Sequence, residues 1–196
     1  MEAPPAVWSF RADWTEPLRA RPVPAVLTCV AVLTLLAWRI GAEPVLPAFL
    51  YLGAAGTALA FVDVAIKRLP DPLTLPSYGI GAVLLGGAAP FTEDGGGHFL
   101  HALFGLAALW ALFAVQWLLM PSAIGLGDVK LAGVLGLYLG WLGLDGWLLG
   151  VAATFVIGGL VAAGLLVARR AGRRSELPYG PFLLAGALLA VLVHAG

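Results

Sequence analysis

The chain has 196 residues, of which 61% are hydrophobic and only 11% charged, with 11 Lys and Arg against 11 Asp and Glu. That composition excludes a soluble globular domain and a disordered chain, and the absence of a basic surplus argues against nucleic acid as a partner. The single cysteine, Cys29, can make neither an intrachain disulfide nor a cysteine-rich zinc site.

Residues 1–24 form a polar lead on the cytoplasmic side. Within it Val7, Phe10, Trp14 and Leu18 recur at helical spacing, with Arg11 and Arg19 between them. This reads as an interfacial helix or a disordered lead, and Pro17 counts against the helix. A membrane helix needs ~20 mostly apolar residues. Seven candidate spans follow, at 25–41, 45–64, 74–90, 98–120, 127–144, 146–168 and 180–195, the third and the last being short. The fold class is therefore an all-α polytopic membrane protein with about seven transmembrane helices. No strand-like alternation suggests a barrel, and no repeat of fixed period is present. The first span follows arginines and ends near Gly41-Ala42, as a signal peptide does, but its polar lead is long and Arg39 sits badly for cleavage.

Orientation follows from Lys and Arg. With the N-terminus inside, Arg11, Arg19, Arg21, Lys67, Arg68, Lys130, Arg169, Arg170, Arg173 and Arg174 all fall on the cytoplasmic side. Arg39 alone falls outside, and the outer loops carry Glu43, Glu93, Asp94 and Asp145. Trp38, Trp141 and Trp147 fall near the outer interface and Trp117 near the inner one, while Trp110 in mid-span reads as core. His98 and His101 read as interfacial and His194 as solvated. Gly136 and Gly140 have the spacing of close helix packing.

A carboxylate at the edge of a span is costly and therefore a functional candidate. Asp63 ends span two and Asp128 starts span five, so the topology puts both at one depth on the cytoplasmic face. Two carboxylates that meet share a proton. One can then act as base to a water and the other as acid to a carbonyl oxygen or leaving amine, with no metal or cofactor. Gly125 and Gly127 are expected to supply a tight turn before the helix of Asp128. Asp128 lies in a first helical turn and Asp63 near a helix C-terminus, so Asp128 is expected to carry the charge and Asp63 the shared proton. The bland alternatives are that Asp128 only caps a helix and that Asp63 only snorkels, paired with Lys67.

Three segments carry a family resemblance. The first runs from Asp63 through Leu69-Pro70-Asp71-Pro72-Leu73-Thr74-Leu75-Pro76. The second is Gly125-Leu126-Gly127-Asp128-Val129-Lys130-Leu131-Ala132-Gly133, with Gly136, Gly140 and Trp141 beyond it. The third is Pro178-Tyr179-Gly180-Pro181-Phe182. Together they resemble the type IV prepilin peptidases, which are GxGD membrane aspartyl proteases. Presenilin-like proteases also carry GLGD, but the chain has no counterpart of their Pro-Ala-Leu motif. The resemblance covers residues 45–196 and leaves 25–44 as an extra N-terminal helix. It implies that Asp63 and Asp128 are the catalytic pair. Asp71 is the rival for the first role and reads as a loop residue that shapes the turn between Pro70 and Pro72. Lys130 is expected to help hold the site or the substrate, and the segment with Pro178, Gly180 and Pro181 to pack beside the pair.

The function implied is cleavage of the leader peptide of prepilin or pseudopilin precursors at the cytoplasmic face of a bacterial inner membrane, after a glycine. Extended substrate backbone could add to loop backbone near Gly125 and Gly127. Larger members of the family carry a cysteine-rich zinc region and an N-methyltransferase activity, so this chain reads as a peptidase-only form. Two other classes remain: a non-catalytic prepilin-binding factor, and a small ion-coupled transporter. Partners beyond the precursor are membrane lipid and an allowed, not required, homodimer.

Overall fold

The structure is a computed structural model that describes residues 14–121, 124–168 and 178–195. Eight α-helices follow one another among these residues: α1 (Glu16–Ala20), α2 (Pro22–Ile40), α3 (Leu46–Ile66), α4 (Asp71–Ala88), α5 (Gly95–Leu119), α6 (Leu126–Trp141), α7 (Gly143–Val167) and α8 (Gly180–His194), with one 3₁₀ turn at Ala89–Phe91. No strand occurs among the described residues. The chain is an all-α polytopic membrane protein. Helices α2, α3, α4 with its 3₁₀ turn, α5 and α7 are long and apolar enough to cross a membrane, and α8 is a shorter apolar helix.

Proline starts these helices more than it breaks them. Pro17, Pro22, Pro47, Pro72 and Pro181 each stand at the first or second position of a helix. There the missing N–H would have had no intrahelical partner, and the fixed φ suits the helix. Of the stretch from Val7 to Leu18, read as an interfacial helix or a disordered lead, the structure describes only residues from 14 onward, where α1 forms; residues 7–13 lie outside the described residues, as do Arg169, Arg170, Arg173 and Arg174. The same rule corrects the third span. Pro70 is an extended N-cap and Asp71 is the first residue of α4, so Asp71 is helical and not a loop residue.

Helix α6 is the centre of the bundle. It has 16 residues, and every one from Leu131 to Trp141 is buried. At 1.5 Å per residue it is about 24 Å long, less than the ~30 Å of a bilayer's hydrocarbon core. It contacts α4, α5, α7 and α8, so protein surrounds it. The tightest approach is to α5. A Cβ at Gly105 would lie 2.7 Å from the Cα of Gly140, and one at Gly136 would press into the backbone carbonyl of Gly105. The expected glycine packing at Gly136 and Gly140 is what joins these two helices.

Aromatic placement departs from expectation in two cases. Trp141 is 4% exposed and its ring lies 5.6 Å from that of His98, whose Nδ1 is 2.7 Å from the Trp141 carbonyl oxygen. Trp110, expected in the core, is 47% exposed. Trp147 donates its indole N–H to the Gly105 carbonyl. His194, expected to be solvated, is half-buried, with its Nδ1 buried. Arg39, the one basic residue assigned to the outer side, donates from Nε to the Leu192 carbonyl (2.6 Å) and from Nη2 to that of Val193 (3.1 Å). It thus satisfies carbonyls at the C-terminal end of α8, where a cation is favoured by the helix dipole.

Candidate active site

The antiparallel course of the chain brings the C-terminal end of α3 and the N-terminal ends of α4, α6 and α8 to one end of the bundle. Asp63 lies in the last turn of α3 and is 4% exposed. Its Oδ2 accepts the N–H of Gly180 at 3.0 Å. Gly180 is the first residue of α8, so this N–H is one of the donors a helix start leaves without an intrahelical partner. A Cβ on Gly180 would stand 2.8 Å from the same oxygen, so only glycine leaves room for the carboxylate. After Asp63 the chain turns out of α3 at Lys67, a left-handed residue (φ 51°) whose N–H returns to the Asp63 carbonyl. Lys67 is itself exposed, and the carboxylate turns inward to α8.

Asp128 is the third residue of α6, and its Oδ2 accepts the Gly125 N–H at 3.1 Å. It therefore caps its own helix. The Gly125 carbonyl in turn accepts from the N–H groups of Asp128 and Val129. One expectation is corrected here. Gly125 has φ −79° and ψ 150°, open to any residue, so no glycine-only turn is needed. Gly127 supplies space instead: a Cβ there would lie 3.0 Å from the Cβ of Leu69.

Asp63 and Asp128 come to the same end of the bundle, at the starts of α8 and α6. Each carboxylate accepts an N–H from the N-terminus of a helix, Asp63 from α8 and Asp128 from α6. The helix ends alone therefore do not set the two apart. Tyr179 completes the cluster. Burial, and then the nearby Asp128 carboxylate, push its phenol above the usual tyrosine range, so it stays a neutral O–H beside the acid. Its ring packs against Phe113 and Phe182. Leu69 spans the two helix starts, with its Cβ over Gly127 and its Cδ2 near Gly180.

The remaining candidates divide between the site and its frame. Pro70 caps α4, and Asp71, at the start of α4, pairs through Oδ1 with Lys130 Nζ at 2.7 Å. Pro178 leads into α8, and Pro181, its second residue, lines a cavity of about 250 Å³ between α2, α3 and α8. Among the described residues no three of His, Cys, Asp and Glu converge as a metal cluster would. Sequence reasoning singled out both aspartates and Gly180. It missed Tyr179 and Leu69 as site residues, although both stand inside the quoted motifs, next to residues that were singled out.

The type IV leader peptidase family matches residues 49–167. A prepilin leader peptidase/N-methyltransferase of Aeromonas salmonicida is 35% identical over 138 residues, which is 69% of this chain and 45% of that protein. Proteins of the same name match in Pseudomonas putida, with 31% identity over 84% of this chain and 56% of the relative, and in Neisseria gonorrhoeae, with 34% over 76% and 49%. The chain spans about half the length of the curated relatives it matches. No solved structure matches it.

Proposed function

The chain belongs to the type IV leader peptidase family, and we propose that it is a membrane aspartic endopeptidase that removes the leader peptide of prepilin-like precursors at the cytoplasmic face. The observation that carries this reading is that two carboxylates come from separate helices to one end of the bundle: Asp63, bonded to the Gly180 N–H at the start of α8, and Asp128, in the first turn of α6, with Leu69 packed near both helix starts. The proposed substrate is a single-span precursor whose apolar segment stays in the membrane while its leader enters the site. The Lys and Arg pattern supports an inner-membrane protein with a cytoplasmic N-terminus.

In the proposed reaction a water sits between the two carboxylates. The ionised one takes a proton from the water as its oxygen attacks the scissile carbonyl carbon. The protonated one gives its proton to the carbonyl oxygen. The gem-diol then collapses: one carboxylate takes the proton of a diol hydroxyl as the C=O re-forms, the other gives its proton to the amine nitrogen, the C–N bond breaks, and the pair is left with one shared proton.

The test is direct. The purified protein in detergent is mixed with prepilin-like precursors, and the new N-terminus is read by mass spectrometry. Cleavage after the glycine that ends the leader is expected. Folded protein that leaves several such precursors whole overturns the reading. Gly180→Ala probes the geometry: the added methyl group would press on Asp63 Oδ2 from 2.8 Å. A misplacement of about 1 Å can cost ~10²-fold, so kcat should fall by roughly 10–100-fold. The thermal unfolding temperature should change little. A variant with wild-type kcat would show that this carboxylate need not stay where Gly180 holds it.

A further inference from the structure

Burial holds the first turn of α6 less well than the rest of the helix. Gly125 and Leu126 are exposed, and Gly127, Asp128 and Lys130 are half-buried, whereas everything from Leu131 onward is buried. Yet Asp128 stands in that turn. Three contacts grip the turn from outside, and all come from residues 69–78. Leu69 packs on Gly127. Asp71 pairs with Lys130 Nζ at 2.7 Å, the two side chains being 19% and 23% exposed. Tyr78, in the second turn of α4, donates its hydroxyl to the Lys130 carbonyl at 2.6 Å and lies against Gly133. Lys130 is thus held at its side chain and at its backbone, two residues from Asp128.

We propose that Asp71, Lys130 and Tyr78 are positioning residues, a clamp between α4 and α6 that keeps Asp128 aligned with Asp63. The proposal rests on the reading of Asp63 and Asp128 as the reacting pair. The same stretch of chain that leaves Asp63 turns at Lys67, runs extended through Pro70 and opens α4 at Asp71. The Leu-Pro-Asp motif therefore ties the end of α3, which carries one carboxylate, to the start of α6, which carries the other. The pair is only about a fifth exposed, so salt screens it less than it would a pair on the open surface. Asp71 acts through Lys130, and a group of that kind can be exchanged with its partner, which a reacting group cannot.

The experiment compares Asp71→Asn, Lys130→Met, Tyr78→Phe and the exchange Asp71→Lys with Lys130→Asp, each in the full chain. Two readouts are used: kcat and KM for precursor cleavage, and hydrogen exchange of the Val129 amide without substrate. The Val129 N–H bonds to the Gly125 carbonyl across the turn in question. Asp71→Asn and Lys130→Met should lower kcat about 10–100-fold with KM nearly unchanged, the scale of a small misplacement. Tyr78→Phe should lower it less. The exchanged pair should recover roughly tenfold over the weaker single variant, since opposite charges again face each other. Val129 exchange should quicken in the single variants and slow again in the exchanged pair. An exchanged pair no better than the weaker single variant, or Val129 exchange unchanged throughout, overturns the clamp. If no precursor is cleaved by any form but Val129 exchange responds as stated, the clamp stands and the peptidase reading falls.

Discussion

Asp63→Asn and Asp128→Asn should each lower precursor cleavage by ~10³-fold or more, because general acid and base groups each contribute about 10²–10⁴-fold. Asparagine suits the test because the amide oxygen can still accept the hydrogen bond each carboxylate now accepts. The Gly180 N–H can still bond to residue 63, and the Gly125 N–H to residue 128. Fold and caps are kept, and what is lost is a group able to gain and give a proton. Acid and base act on the same bond rearrangement, so the double variant should be little worse than either single one. Rates from mass spectrometry of the product N-terminus, with unfolding temperatures alongside, check all three. Retention of a tenth or more of the activity in either single variant would remove that residue from the pair. Full loss in Asp71→Asn beside an active Asp63→Asn would move the first carboxylate to residue 71.

The second large effect concerns the bundle and not the chemistry. Gly136→Leu should destabilise the protein by about 3 kcal/mol or more, at the top of the usual range for overpacking. A Cβ at Gly136 would press into the Gly105 carbonyl and lie 2.9 Å from the Leu109 Cβ. The obstacle is backbone, which cannot swing aside as a side chain can. Helices α5 and α6 would have to separate along their most extensive interface. Gly159→Ala in α7 is the control, since its Cβ would meet nothing within 4 Å. There the helix should hold or gain up to ~1 kcal/mol. Thermal unfolding in detergent should separate the two variants, and equal unfolding temperatures would show that the α5–α6 contact tolerates a spacer.

Among the described residues only five of the seven expected spans are long enough to cross a membrane, and those expected over 127–144 and 180–195 are the shorter helices α6 and α8. The apolar helices were nonetheless legible, because hydrophobic length is a property of the linear chain. Which face of each helix meets protein was not. In a helix apolar all round, the periodic contrast that separates a core face from an outer face is absent. Trp110 and Trp141 were misread for that reason: position along a span says nothing about angle around it. Asp71 was misread for a local reason, since two flanking prolines look like a loop until one of them occupies the second position of a helix. The two aspartates stood out because no other carboxylate falls inside an expected span. Tyr179, Leu69 and Tyr78 did not, because an aromatic or leucine is ordinary there and its role depends on a partner far away in sequence. Arg39 is the same case: an exception to the charge pattern whose partners, Leu192 and Val193, lie more than 150 residues on.

The central position of α6 also bears on how the protein is made. A helix that carries an aspartate and a lysine in its first two turns, and is only 16 residues long, is a poor candidate to enter a bilayer alone. The segment synthesised just before it, α5, has 25 residues and is strongly apolar. Glycines let the backbones of these two helices approach closely. On these grounds α5 and α6 should leave the insertion machinery as one hairpin, with the polar helix sheltered by its predecessor from the start. Lipid would then impose little selection on α6, leaving its sequence free to answer to neighbouring helices and to the carboxylate it carries.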